Sequence, residues 1–228
     1  MNLSTRQNPR YDVIIFDLDG TLIDSRLDLA NSVNFTRQQM GLSVLTRELI
    51  YSYIGDGATL LIRRAMGEGL AEEDIKQALG IFLKHYRIHL LDNTVLYPGV
   101  YETLEQLGNV KLAVLTNKPL DPTTAILCGL GIHEKFALVY GGNSFEQKKP
   151  DPIGINKILQ ETGVLRERAL MVGDSRIDIQ TGQNAGVVTC GVKYGLASET
   201  LGDPKSDFLI EEMRQLSSIV FDEPEQTK

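Results

Sequence analysis

The chain has 228 residues, 42% of them apolar and 23% charged, with no Trp and a net charge of −7. That length can bury a real core, as one large domain or two smaller ones, while the acidic balance excludes a nucleic-acid binder, whose surface must be basic to meet phosphates. No run approaches the ~20 apolar residues of a membrane span, and the opening MNLSTRQNPR is too polar for a signal peptide, so no membrane partner and a cytoplasmic location are expected.

In chain order, the first element is an apolar strand, Val13–Phe16, which runs straight into Asp17, Asp19 and Asp24. From about Asp24 to Leu96 the apolar spacing becomes three-and-four, which predicts helices over Leu27–Met40, Thr46–Ile54, Ala58–Met66 and Glu72–Leu91. Tyr97-Pro98-Gly99 breaks that pattern. Beyond it, strands at Lys111–Leu115, Ala137–Tyr140, Ala169–Val172 and Val187–Val192, with an edge strand at Phe208–Ile210, alternate with helical stretches at Val100–Leu107, Pro122–Gly129, Pro152–Thr162 and Ile177–Ala185. Such alternation predicts an α/β fold with a doubly wound parallel sheet. The connection between the first two of these strands far exceeds the ~30 residues of a simple crossover. The expected organisation is therefore a core of residues 1–23 and 97–228, with a small helical cap of residues 24–96 inserted after the first strand. Phe221–Lys228 reads as a frayed polar tail, and Cys128 and Cys190, without CxxC spacing, read as reduced core thiols.

In open α/β sheets, ligands bind beyond the carboxyl ends of the strands. The residues there are Asp17-Leu18-Asp19-Gly20-Thr21, then Thr116-Asn117-Lys118, then Lys148-Lys149-Pro150, then Gly173-Asp174-Ser175-Arg176-Ile177-Asp178. Carboxylates this close repel, and burying them is costly unless a cation compensates. A hard divalent ion with oxygen ligands, Mg²⁺, suits the cluster. The chemistry these groups fit is phosphoryl transfer through an aspartyl phosphate. Asp17, at the strand tip, is the candidate nucleophile, and Asp19 the acid that protonates the leaving oxygen and later draws a proton from water. Gly20 lets backbone amides turn toward the phosphate. Thr116 offers a hydroxyl to a phosphoryl oxygen, and a lysine, Lys148 or Lys149, offsets transition-state charge. Asp174 completes the metal ligands, and Asp178, one helical turn on, orients water around the ion.

These motifs, in this order, resemble the haloacid dehalogenase-like superfamily: DxDGT as Asp17–Thr21, the hydroxyl motif as Leu115-Thr116-Asn117, the lysine motif as Lys149-Pro150 and the acidic motif as Gly173–Asp178. The resemblance covers nearly the whole chain. It implies a Rossmann-like core with a small helical cap, a phosphatase with Asp17 as nucleophile and Asp19 as acid/base, Lys149 as the active lysine, and metal ligation by Asp17, the Asp19 backbone carbonyl and Asp174. Within that superfamily, Tyr97–Leu104, Thr116-Asn117-Lys118, the stretch from Gly141 to Pro152 and the cap stretch Ile54-Gly55-Asp56-Gly57-Ala58 are most similar to phosphoglycolate phosphatases. The implied reaction is hydrolysis of a small phosphate ester, 2-phosphoglycolate, by a monomer or homodimer. Pyrophosphatases and nucleotide monophosphatases share much of this pattern. Asp19 speaks against a dehalogenase, which usually replaces that acid, and Ala58 stands where the superfamily's hexose-phosphate mutases carry an arginine.

A signalling phospho-acceptor domain also uses strand-end acids, a hydroxyl, a lysine and Mg²⁺, but it is much shorter and needs no acid at the Asp19 position. Asp24 and Ser25 read as helix-capping residues. Asn117 and Lys118 either line the pocket or start a helix; the predicted substrate-binding set takes Asn117 with Gly20, Thr116 and Lys149. Gly55-Asp56-Gly57 reads as a loop closing over substrate, Arg63 and Arg64 as a solvated helix face, Arg176 as a surface residue, and His85, His89 and His133 as ordinary helix or loop residues.

Overall fold

The computed structural model describes residues 8–221, so the amino-terminal reading and the polar tail after Phe221 lie outside the described residues. Strand β1 (Val13–Phe16) takes the centre of a parallel sheet, flanked by β4 (Lys111–Leu115) and β6 (Ala169–Gly173). Beyond these lie β5 (Leu138–Tyr140) on one side, and β7 (Val188–Val192) and β8 (Phe208–Ile210) on the other, in the order β5-β4-β1-β6-β7-β8. Every pair is parallel, with Ile15 opposite Ala113 and Met171.

Burial on both faces explains why β1 is apolar throughout rather than alternating. Val13 and Ile15 pack with Ile155, Ile158 and Ala185 of helices α7 (Ile153–Thr162) and α8 (Arg176–Ala185). Ile14 and Phe16 face the opposite layer, where α5 (Val100–Gln106), α6 (Leu120–Gly129) and α9 (Leu216–Phe221) contribute Leu104, Ile126 and Leu216. Chain order reverses direction at β1, so the crevice at the carboxyl ends of β1 and its neighbours is the ligand-binding position of this topology.

Between β1 and α5 lie helices α1 (Arg26–Gln39), α2 (Arg47–Tyr51), α3 (Ala58–Met66) and α4 (Glu72–His89). Helix α1 packs along α4, and Leu29, Val33, Ile62, Phe82 and Tyr86 are buried between the helices. Helix α2 is shorter than the expected Thr46–Ile54 at both ends: Thr46 sits before it as the N-cap and accepts the Leu49 N–H at 3.4 Å, and the chain turns after Tyr51. Two strands went unread: β2 (Ile23–Asp24) and β3 (Val95–Leu96) pair antiparallel, Ile23 opposite Leu96. Two residues carry no period-two signal, so only the fold reveals the pairing. It ties together the two ends of the helical segment, where Asp28 adds a second tie. Its carboxylate accepts the backbone N–H groups of Asn93 at 2.9 Å and Thr94 at 2.8 Å, and both of their side chains.

One core expectation needs correction: Cys128, on the outer face of α6, is exposed, while Cys190 in β7 is buried and its thiol is pushed up to about 12 by that burial. No helix among the described residues is long and apolar enough to cross a membrane.

Candidate active site

Asp17 is the first residue beyond β1, and its N–H continues the ladder to the Val172 carbonyl at 3.0 Å. The chain then folds back on itself: the Leu18 carbonyl accepts from Leu22 at 2.9 Å and Ile23 at 3.1 Å. This turn requires glycine at position 20, where φ is +94° and a Cβ would overlap the Asp174 carboxylate. Thr21 Oγ1 donates to Asp174 Oδ1 at 3.2 Å from below the same turn.

Lys149 decides the charge balance. Its Nζ donates to Asp17 Oδ1 at 2.6 Å and to Asp178 Oδ1 at 2.5 Å, and its side chain is 4% exposed. Burial alone would lower its basicity, but Asp17 and Asp178 more than offset this and hold the ammonium above its ordinary range. Lys148, the alternative, is exposed and lies near Gly57. Asn117 pins the lysine loop: its Oδ1 accepts the Lys149 N–H at 3.0 Å, and its Nδ2 donates to the Lys149 carbonyl and to the Gly55 carbonyl at 3.3 Å each. One residue thus joins the sheet edge to the helical segment, and Asn117 holds the lysine loop without itself lining the cavity described below. Thr116 is buried on the same rim and accepts the Lys118 N–H at 3.3 Å.

Asp174 is the first residue beyond β6, and its Oδ2 accepts the Ala197 N–H at 3.0 Å. Asp178 lies in the first turn of α8 and forms a capping box, its Oδ2 accepting from the Ser175 hydroxyl at 2.6 Å and the Ser175 N–H at 3.0 Å. Asp17, Asp174 and Asp178 each bring an oxygen within 4.8 Å of the others. Burial, then repulsion from Asp178 and Asp17, pushes the Asp174 carboxyl up to about 8. Burial likewise raises Asp17 to about 6, against the pull of Lys149. Three buried acids around one ammonium lack positive charge. Their donors are all oxygen, the set a hard divalent cation takes. Asp178 is held by short bonds from Lys149 at 2.5 Å and the Ser175 hydroxyl at 2.6 Å, whereas Asp174 accepts from Thr21 and the Ala197 N–H at 3.2 and 3.0 Å, so Asp17 and Asp174 are better placed to hold an ion directly.

Asp19 faces a different set of partners. Lys118 Nζ donates to both of its carboxylate oxygens, at 2.9 and 3.0 Å, and Ser25 Oγ donates to Oδ1 at 2.5 Å. Ser25 stood outside the predicted site residues, and Lys118, left open between lining the pocket and starting a helix, lines the cavity. Ser25 occupies the N-cap position of α1 but makes no cap bond, its hydroxyl being turned to Asp19; Asp24 caps in its place, accepting the Arg26 N–H at 3.2 Å. Ala197 is invisible to sequence reading because only its backbone N–H serves. The arginines of α3 stay outside: Arg63 pairs with Glu72 at 2.6 Å, and Arg64 with Asp56 at 2.5 Å. Arg176 is exposed, and the histidines lie in α4 or in a short turn.

A cavity of about 50 Å³ separates the sheet edge from the helical segment. Asp17, Asp19, Thr116 and Lys118 line its floor, while Leu29, Ile54, Leu61, Phe82 and Tyr86 line its roof. Gly55, Gly57 and Ala58 close one side.

The family model for haloacid dehalogenase-like hydrolases matches residues 14–192. The chain is 38% identical to the phosphoglycolate phosphatase of Colwellia psychrerythraea over 81% of this chain and 85% of that one. It is 36% identical to that of Aliivibrio fischeri over 91% of this chain and 96% of that one. A crystal structure described as a predicted phosphoglycolate phosphatase from Haemophilus somnus superposes with a TM-score of 0.87 at 33% identity, covering 92% of this chain and 98% of that one.

Proposed function

Because the chain belongs to the haloacid dehalogenase-like hydrolase family and is a phosphoric monoester hydrolase, we propose that it hydrolyses a small phosphomonoester through a covalent phosphate on Asp17, and that 2-phosphoglycolate is its substrate. The observation carrying this reading is the shared cavity floor: Asp17 and Asp19 both line it, each held by its own buried lysine. Curated relatives named for phosphoglycolate support the choice of ester.

Lys149 holds Oδ1 of Asp17, which leaves Oδ2 to attack phosphorus. As the Asp17–phosphorus bond forms, the ester bond breaks and the leaving oxygen takes the proton of Asp19, giving the free alcohol. Water then attacks the phosphoryl group, Asp19 accepts its proton, and inorganic phosphate leaves Asp17 restored. Thr116 donates its hydroxyl to a phosphoryl oxygen, and Lys149 offsets the negative charge gathering there. Mg²⁺, held by Asp17 and Asp174 with the Asp19 backbone carbonyl, would supply the missing positive charge and polarise the phosphoryl group. Residues 24–96 serve as a cap over a catalytic core of residues 1–23 and 97–228. The bond from Asn117 to the Gly55 carbonyl holds the two parts together across the cavity. Opening admits substrate and water, and closing excludes bulk solvent.

The test is a panel of phosphate esters ranked by kcat/KM with Mg²⁺ and after chelation, beside the Asp17→Asn variant. Turnover is expected only with the metal, and Asp17→Asn is expected to lose at least about 10⁴-fold in kcat while keeping its fold. Undiminished turnover by Asp17→Asn refutes the nucleophile, and a mass shift of one phosphoryl group on wild-type Asp17 after acid quenching supports it.

A further inference from the structure

Lys118 holds Asp19 but touches no reacting atom in the reaction as derived, and it is the cation among the cavity's described lining residues. We propose that Lys118 is a specificity-determining residue that binds a carboxylate carried on the carbon next to the ester oxygen of the substrate. The inference rests on the phosphatase reading and assigns the recognition of its leaving group.

Charge and surroundings support it first. The roof of the cavity is apolar, and the nearby cap arginines are spent on Glu72 and Asp56. Lys148, whose ammonium lies beside Gly57 at the side of the cavity, is exposed, so the roof offers an anionic leaving group no buried counter-ion. Lys118 is 5% exposed at its side chain and sits 4.8 Å from the centroid of the Tyr86 ring, so a pair formed there is shielded from water. Its backbone is held from both sides, its N–H on Thr116 Oγ1 at 3.3 Å and its carbonyl accepting the Gly142 N–H at 2.7 Å. An ammonium has three N–H donors; two contacts go to Asp19, and the third lies on the side of Tyr86, at the cavity wall where a ligand would seat.

Reach supports it second. The ester oxygen must come within hydrogen-bond distance of Asp19 to receive its proton, and Lys118 lies 2.9 to 3.0 Å from that same carboxyl. A carboxylate oxygen on the adjacent carbon stands about 3 Å from the ester oxygen by bond geometry, which brings it to Lys118. A carboxylate placed further along the chain meets Leu29, Leu61 or Phe82 instead. The site thereby selects short 2-phospho-oxy acids and reads their charge from the floor.

The experiment compares 2-phosphoglycolate with its isosteric amide, in which only the carboxylate charge is lost. Wild type is expected to favour the acid about 100-fold in kcat/KM, mostly through KM. Lys118→Gln is expected to reduce that ratio to about fivefold or less, and Lys118→Arg to keep most of it. Because the readout is a ratio, a general loss of rate in either variant does not affect it. Equal turnover of acid and amide by wild type overturns the inference without recourse to a variant. So does a Lys118→Gln enzyme that keeps the wild-type ratio. Wild type that turns over neither these nor any other phosphate ester removes the phosphatase reading and the inference together.

Discussion

At the scale of single residues, Lys149 is the group on which the acidic cluster depends. Its ammonium is the direct partner of both Asp17 and Asp178, and removing one member of a buried ion pair leaves the other charges uncompensated. Lys149→Met is expected to lower stability by about 3 kcal/mol and to reduce kcat at least about 10³-fold. Chemical denaturation and steady-state kinetics measure the two effects separately, and normal kcat in a folded variant contradicts the role given to Lys149. Gly20 is the second such residue, for a steric reason. Gly20→Ala forces a side chain into a positive φ and onto the Asp174 carboxylate, so a loss of about 2 kcal/mol and a weakened response to Mg²⁺ are expected. An alanine variant that melts with wild type and binds the ion equally well excludes this account of the turn.

At the scale of elements, the helical segment is anchored through few contacts whose partners lie far apart in sequence. The β2–β3 pairing and the Asp28 carboxylate tie its two ends side by side. Asp28 is buried and receives bonds from Asn93 and Thr94 that have no other evident acceptor at that position. Asp28→Ala should therefore destabilise by about 3 kcal/mol, and should raise amide exchange at residues 92–96 more than in the sheet. If exchange rises equally across β1 and β6, the carboxylate is a general core contact and not a tie at the segment's ends. Ile54–Ala58 and the Asn117 loop form the other junction, and there a single backbone carbonyl, that of Gly55, takes the hydrogen bond.

At the scale of the whole molecule, the buried acids couple folding to pH and to divalent cations. Asp17 and Asp174 have native carboxyls raised to about 6 and about 8, above the 3.8 ordinary for aspartate. Between pH 4 and 8 the metal-free native state thus retains protons that the unfolded chain has released. The native state binds more protons, so metal-free stability falls as pH rises through that window and levels off above it. Ions and protons compete for the same oxygens, so Mg²⁺ should raise Tm more at pH 8.5 than at pH 5.5. Thermal melts at the two pH values, with chelator and with Mg²⁺, measure this, and Asp174→Asn should flatten the dependence. A metal-free protein that gains stability on going to pH 8.5 contradicts the charge balance of the cluster.

The order of the elements was legible in the chain alone, because strands buried on both faces must be apolar throughout and α-helices must carry their apolar residues every three or four positions. The strand-end rule likewise singled out Asp17, Thr116, the Lys148-Lys149 pair and Asp174, since those residue types are costly to bury and so stand out against the runs they follow. What only the tertiary structure decided are the pairings. Lys149 rather than Lys148 meets Asp17, Ser25 turns from its helix to Asp19, Lys118 is drawn to Asp19 from a distant strand end, and the backbone of Ala197 reaches Asp174. Local patterning reports what a residue does to its own element. A contact between residues far apart in sequence depends on register, loop path and burial at once, and these are set only when the whole chain has packed.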